Sequence, residues 1–418
     1  MSQNNTSIVH TRNLYTKRIQ PFMGRPMVKI LTGMRRVGKS CLLHLLHDEL
    51  LKKGTKHSNI CFIDKESLDF DTIRTDHNLH EFVIATFKKC KGPRTLLIDE
   101  VQLIEKWERA IGSLAGKGDM DIVLTGSNAQ LLSSELATRL SGRYIEFPIF
   151  GLGFSEFLTF RGRAVENRET EFLRFLRYGG LPVLHHMEMT DEVIFQCLNS
   201  IYSTILLKDI VSRHSIRQVP LLENIIRFVF DNVGQPISAN RIAAHLKSQR
   251  LHVGVDTVIN YLGYFQEALI THKAARYDIK GRRLLETYDK HYIGDLGLRH
   301  ALLGYRESDI SHLLENVVYL ELRRRGYNVA IGKWGNREID FIALREKEKI
   351  YIQVAYLLAT PETVQREFKP LQETPDNYPK LVLSMDPLFG DDHEGVRRMH
   401  LLDFLLQTTS DEQRAAAK

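Results

Sequence analysis

Residues Gly33-Met34-Arg35-Arg36-Val37-Gly38-Lys39-Ser40 read G-x-x-x-x-G-K-S, and this octet decides the fold. The apolar run Val28-Lys29-Ile30-Leu31 before it has the character of a strand, and Cys41-Leu42-Leu43-His44-Leu45-Leu46 after it that of a helix. Strand, glycine-bearing turn and helix start, in that order, form a phosphate-binding loop. The glycines let the backbone curl until successive N–H groups face one anion, and the helix N-terminus adds the positive end of its dipole. Lys39 is expected to reach the β and γ phosphates and Ser40 to hold Mg²⁺. Gly33, Arg35, Arg36, Val37, Gly38 and Cys41 complete the expected lining around the nucleotide.

Working outward, Thr95-Leu96-Leu97-Ile98-Asp99-Glu100 is a short apolar run that ends in two carboxylates, as a buried parallel strand opening into a cleft does. Alone, such a pair is a strand end meeting solvent; downstream of a phosphate loop it reads as the second half of a site. Asp99 suits the Mg²⁺ shell, and Glu100 suits a base that orients an attacking water. A further strand, Asp121 to Thr125, runs into Gly126-Ser127-Asn128. Ser127 and Asn128 are candidates for sensing the γ phosphate; a strand-to-helix turn with its N-cap is the plainer reading.

The chain has 418 residues, 43% of them hydrophobic, which fits two to four globular domains and excludes a disordered polymer. No run approaches eighteen uninterrupted apolar residues, and Met1-Ser2-Gln3-Asn4-Asn5 lacks the apolar core of a signal peptide, so a cytoplasmic protein without membrane association is expected. Cys41, Cys61, Cys90 and Cys197 have no C-x-x-C spacing, so neither a disulfide framework nor a zinc site is indicated. The formal charge is +6, and residues 201 to 300 hold 14 Lys and Arg against 9 Asp and Glu. That local excess is the electrostatic mark of a polyanion contact.

Strand-like and helical runs alternate from about 14 to 160, predicting βαβ units around a largely parallel sheet; helices then follow over 161 to 212, including one from Asp191 to Val211. Between 213 and 300 the pattern is three helices (Leu221 to Asn232, Ser238 to Ser248 capped by Ser238, Asp256 to Glu267 capped by Asp256) and a hairpin around Asp278-Ile279-Lys280-Gly281. Three helices and a hairpin make a winged helix-turn-helix, with Arg276, Lys280, Arg282 and Arg283 on or beside the wing, where cations meet phosphates; a rigid spacer with a solvated basic loop has the same pattern. Residues 301 to 406 read as a further α/β domain, and 407 to 418 as a tail.

With these pieces in order, the chain from about Leu14 to Leu406 resembles the prokaryotic AAA+ ATPases that carry a C-terminal domain of uncharacterised function. The resemblance rests on Leu31 to Ser40, Leu97-Ile98-Asp99-Glu100-Val101-Gln102, Leu124-Thr125-Gly126-Ser127, Leu140-Ser141-Gly142-Arg143, Tyr178-Gly179-Gly180-Leu181-Pro182 and Leu206-Leu207-Lys208-Asp209-Ile210. It implies that Pro182 touches the adenine and that an arginine from a neighbouring subunit, Arg139 or Arg143, completes the site of a homo-oligomer. It also implies a C-terminal restriction-endonuclease-like fold, in which Glu315 on a helix and Asp340 on a strand gather Mg²⁺. There the next strand departs from the pattern: Gln353 stands where a carboxylate belongs and Ala355 where a lysine belongs, so an inactive nuclease is expected. The function these readings imply is ATP hydrolysis with Mg²⁺ coupled to DNA binding through the winged helix. A slow nucleotide switch that recruits a protein partner, and an ATP-dependent nuclease, are the alternatives.

Overall fold

The computed structural model describes residues 10–132, 140, 142–162, 167–281, 283–387 and 392–407. The chain divides into two compact units, Met1–Ile149 and Phe150–Lys418. The residues from 150 to 160, expected to close the first domain, thus fall in the second unit.

The first unit is built on β1 (Val28–Thr32), β2 (Ile60–Asp64), β3 (Arg94–Asp99), β4 (Met120–Gly126) and β5 (Tyr144–Pro148), in the order β2-β3-β4-β1-β5. Every pairing is parallel. A parallel sheet is covered on both faces, which is why β1 and β3 read as continuous apolar runs rather than alternating ones. Ile30, Ile63, Leu96, Ile98, Ile122 and Leu124 pack with Leu79 and Val83 of the helix Asp76–Phe87 and with Ile111 and Leu114 of Trp107–Gly116. Registers Thr32↔Gly126 and Ile98↔Leu124 bring the C-terminal ends of β1, β3 and β4 to one edge, where ligands of open α/β sheets bind.

The second unit opens with the helices Phe154–Arg161, Arg168–Tyr178 and Asp191–Thr204. The last continues as a π-helical stretch, Ile205–Ser212, so the single long α-helix read from the sequence changes its hydrogen-bond step partway. Helices Val219–Asp231, Ala239–Ser248 and Val255–Glu267 follow where expected. Ser238 caps the second through Arg241 N–H, whereas Gly254, not Asp256, occupies the N-cap of the third.

The hairpin departs further from its expected role. Its strands β7 (Thr271–Asp278) and β8 (Arg283–Ile293) are interior members of a nine-stranded mixed sheet with β6 (Pro236–Ile237), β9 (Asn328–Trp334), β10 (Arg337–Arg345), β11 (Glu348–Ala355), β12 (Lys380–Ser384), β13 (Asp392–His393) and β14 (Val396–His400). The order is β13-β14-β12-β11-β10-β9-β7-β8-β6, with β7 parallel to β9. Ala274 and Tyr292 of the hairpin share one core with Leu313, Val318 and Leu322 of the helix Ile310–Arg324 and with Ile331, Phe341 and Ile352. The boundary expected near residue 300 therefore falls inside one sheet. Among the described residues no helix is long and apolar enough to cross a membrane.

Candidate nucleotide site and a second carboxylate cluster

The loop after β1 is shaped by steric necessity. A Cβ on Gly33 would lie 2.3 Å from the Ile149 carbonyl oxygen, so only glycine fits there. Gly38, at φ 97°, takes the left-handed turn that starts the helix Lys39–Lys52, and Arg36 is left-handed too, at φ 69°. The buried Arg12 braces the loop by donating from Nη1 to the Val37 carbonyl at 2.9 Å. Lys39 folds back over the loop it follows: its Nζ donates to the carbonyls of Gly33 (2.9 Å) and Met34 (3.2 Å) and stands 3.7 Å from Glu100 Oε1. The Gly33 and Met34 carbonyls are neutral acceptors, and an anionic oxygen binds an ammonium about twice as strongly.

Asp99 and Glu100 end β3 in buried positions. Burial pushes the Asp99 carboxyl above its ordinary range, while hydroxyl donation from Thr125 and Ser40 pulls the other way, Glu100 adds repulsion and Lys39 attraction. Asp99 and Ser40 are thus already paired, as two ligands of one cation need to be. Glu100 sits at φ 52°, a conformation that costs a non-glycine residue about 1–3 kcal/mol and is found at functional sites. Its N–H donates to Thr125 Oγ1 at 3.0 Å, its carboxylate accepts from Gln102 Nε2, and the same Gln102 nitrogen donates to Ser127 Oγ at 3.3 Å. Thr125 thereby joins the two acidic residues, and Gln102 ties Glu100 to the end of β4.

Not every expected residue joins this group. Arg35 forms an ion pair with Glu66 at 3.0 Å instead of lining the loop interior, and Arg36 and Cys41 are exposed. Ser127 and Asn128 are buried at the same sheet edge as Glu100. Arg143 is exposed and precedes Tyr144, which pairs with Val28 at the start of β1. It therefore lies at the opposite end of the sheet from the loop, roughly 16 Å away at about 3.3 Å per residue, and does not serve the site of its own chain. Pro182 begins the short turn Pro182–His186 in the second unit and is half-buried. Arg139 and Arg282 lie outside the described residues. Arg12 was missed, because an arginine distant in sequence carries no local pattern; Gln102 and Thr125 stand inside the quoted stretches Leu97 to Gln102 and Leu124 to Ser127, where no role was assigned to them.

The wing cations divide. Lys280 and Arg283 are exposed, but Arg276 turns inward and pairs with Glu338 at 3.4 Å, so it is not available to a phosphate. Glu338 belongs to a second polar cluster. Lys290 on β8 is buried with its Nζ 2.9 Å from Glu315 Oε1 and 2.7 Å from Glu338 Oε1, and Tyr292 OH donates to Glu315 at 2.5 Å. Asp340 lies at an irregularity in the β9/β10 pairing, accepts from Val354 N–H at 2.8 Å, and donates its own N–H to Gln353 Oε1 at 3.2 Å. Burial first, then Glu315, lifts the Asp340 carboxyl well above its usual range. Glu315, Asp340 and Gln353 do come together as expected; Lys290, Tyr292 and Glu338 were missed, although the alternation Lys290/Tyr292 and Glu338/Asp340 puts each pair on one face of its strand. Among the described residues no group of three or more His, Cys, Asp or Glu is arranged to hold a metal ion.

Residues 25–158 match the AAA domain family, and residues 169–309 match a domain of unknown function, DUF8612. An uncharacterised protein of Haemophilus influenzae is 34% identical over 400 residues, 95% of this chain and 98% of that protein. The uncharacterised protein MJ1544 of Methanocaldococcus jannaschii is 31% identical over 361 residues, covering 82% and 77%. Among solved structures, the Walker-type ATPase paby2304 of Pyrococcus abyssi is similar in fold, with a TM-score of 0.52 at 16% identity over 72% of this chain and 97% of that one. On this near full-length identity and the loop geometry, the chain belongs to a family of AAA-domain proteins with a P-loop ATPase fold, shared with the Haemophilus influenzae and Methanocaldococcus jannaschii proteins.

Proposed function

We propose that the protein binds ATP with Mg²⁺ and hydrolyses it at the C-terminal edge of the first unit's sheet. The observation that carries this reading is the set of Lys39 folded over its loop, Ser40 paired with Asp99, and Glu100 tethered 3.7 Å from the lysine. Gly33 to Ser40 would cradle the phosphates with backbone N–H groups, and Lys39 would exchange its carbonyl acceptors for phosphate oxygens. Ser40 and Asp99 would hold Mg²⁺, which supplies neutralisation of phosphate charge when bound. Glu100 orients the attacking water and takes up its proton, Gln102 keeps that carboxylate in place, and Ser127 and Asn128 face the terminal phosphate. Arg143 can act only from a second copy of the chain, which supports a homo-oligomeric working form; Pro182 is the adenine contact in this reading. The test is ATP turnover in Lys39→Ala and Glu100→Gln. Wild-type turnover in Glu100→Gln would overturn the assignment of the water-orienting residue.

How the hydrolysis is used is a choice between two readings. Coupling to DNA through a winged helix-turn-helix rests on the exposed Lys280 and Arg283, with Arg282 beside them. Against it, the helix Val255–Glu267, which would enter the major groove, carries no Lys or Arg and exposes Ile259, while Arg276 is spent on Glu338. These observations favour a nucleotide-dependent switch that recruits a protein partner. Turnover with and without duplex DNA separates the two. The DNA-coupled reading further requires that Arg282→Ala with Arg283→Ala flatten the dependence of log K on log salt by about one to two units. The ATP-dependent nuclease is disfavoured by Gln353, whose amide oxygen already accepts the Asp340 N–H, and by the apolar Ala355.

A further inference from the structure

The geometry points to Lys290 as a resident cation: its ammonium takes the place a divalent metal would hold among Glu315, Glu338 and Asp340, so the second unit folds without metal. A divalent ion in an acidic cluster of this kind needs about six oxygen ligands at about 2.0–2.6 Å. Here four of the six carboxylate oxygens are already engaged. Glu315 Oε1 accepts from both Lys290 Nζ and Tyr292 OH, Glu338 accepts from Lys290 through Oε1 and from Arg276 through Oε2, and Asp340 Oδ2 accepts from Val354 N–H. Gln353 Oε1, the remaining neutral oxygen, accepts from Asp340 N–H. The cluster is also roofed. Gly234, left-handed at φ 69°, passes so close that a Cβ there would lie 3.3 Å from Glu315 Oε2.

Charge balance agrees with this packing. Two cations, Lys290 and Arg276, face Glu315, Glu338 and Asp340, so the ammonium already supplies the counter-charge that a metal would bring; burial and the neighbouring Glu315 and Glu367 also strengthen the hold of Asp340 on its proton. A divalent ion would have to enter against a buried ammonium at hydrogen-bond distance from two of its intended ligands. The lysine also links parts of the sheet that are not adjacent. It starts from β8 and reaches Glu338 on β10 past the two strands β7 and β9, so the bond fastens the hairpin to the strands that carry the carboxylates. The carboxylate cluster is thereby turned into a joint of the fold.

The test uses the full-length, nucleotide-free protein and Mn²⁺ as the probe. Wild type should bind no Mn²⁺ that Asp340→Asn removes, and its melting temperature should not respond to Mn²⁺. Lys290→Met should melt lower than wild type and recover with millimolar Mn²⁺, and Asp340→Asn added to that variant should cancel the recovery, which separates this cluster from the phosphate loop. Lys290→Met with Glu315→Gln, which removes both partners of one ion pair, should regain melting temperature without metal. Wild-type binding of Mn²⁺ that is lost in Asp340→Asn would overturn the proposal, as would a Lys290→Met variant that melts like wild type and takes up no metal. Should Lys290→Met fail to fold, the wild-type comparison with Asp340→Asn decides alone: metal bound at the cluster refutes the resident cation, and none bound upholds it.

Discussion

Lys39 and Lys290 are both withdrawn from solvent, at 4% and 3% exposure, and both stand beside buried carboxylates, yet they do opposite work. Lys39 hydrogen-bonds the Gly33 and Met34 carbonyls and stands 3.7 Å from Glu100; Lys290 contacts two carboxylates at 2.9 and 2.7 Å. A phosphate can displace carbonyls from an ammonium because a full charge outbids a dipole, but it gains little over carboxylates already in place. Backbone context produces the contrast. The first lysine follows a glycine loop at the start of a helix, and the second rises from a strand into a packed core. Burial and residue type together do not define a site; the partners that hold the charge do.

The sharpest way to break this comparison is to remove each lysine and read both activity and stability. Lys39→Ala and Glu100→Gln should each lower ATP turnover by about 10³-fold, the first with loss of nucleotide binding and the second with binding retained. Neither should lower the melting temperature. Lys290→Met should instead cost stability, about 3 kcal/mol by denaturant titration, because it leaves buried carboxylates without their counter-charge. Were Lys290→Met to abolish turnover at unchanged stability, the division of labour drawn between the two lysines would be wrong.

The same contrast extends to uncharged bases in the second unit. His291 and His300 are buried, and burial holds both down to about 4, with Arg299 and Arg177 adding to the effect at His300 and Asp309 opposing it. A base whose folded pKa lies below its unfolded value stabilises the fold above about pH 6.5 and loses that contribution as pH falls toward the folded value. From pH 6.5 to 5 one such site loses about 2 kcal/mol. His300→Gln, which keeps a donor for the Arg177 carbonyl, should flatten the pH dependence of unfolding by that amount; an unaltered slope would mean that His300 titrates alike in the folded and unfolded chain. Smaller effects should mark the supports of the first site. Thr125→Val removes the hydroxyl that joins Asp99 to the Glu100 N–H, and a loss of about 2 kcal/mol should appear as a roughly 30-fold fall in turnover. Arg12→Ala should destabilise the first unit by about 2 kcal/mol, since the charged hydrogen bond to the Val37 carbonyl and the stacking on Tyr15 are both lost, while raising the nucleotide concentration needed for half-maximal turnover.

The nucleotide site was legible because its chemistry is local. Gly33, Gly38, Lys39 and Ser40 are fixed by spacing within one turn, and Asp99-Glu100 by the abrupt end of an apolar strand. The supports were less legible: Arg12 reaches Val37 from 25 residues away, and Gln102, which also binds Glu100 two residues before it, reaches Ser127 through the fold of β3 against β4. The hairpin shows the limit from the other side. Its strands and turn fall where the pattern puts them, but periodicity says nothing about which strand lies next to β7, and that neighbour turned Arg276 from a surface cation into a partner of Glu338.

By itself the sequence determined the parallel sheet, the phosphate loop and the acidic strand end. In each case the determining signal is a short-range pattern that steric rules or strand alternation translate directly into structure, whereas the grouping of Glu315, Asp340 and Gln353 was expected from the family resemblance alone. Only the tertiary structure decided that Arg143 lies at the far end of its sheet, that the hairpin belongs to the C-terminal sheet, and that Lys290 fills the carboxylate cluster. Those facts depend on contacts between residues far apart in the chain, which are set when one apolar core closes around several elements at once and the charged groups must take whatever partners the closed core offers.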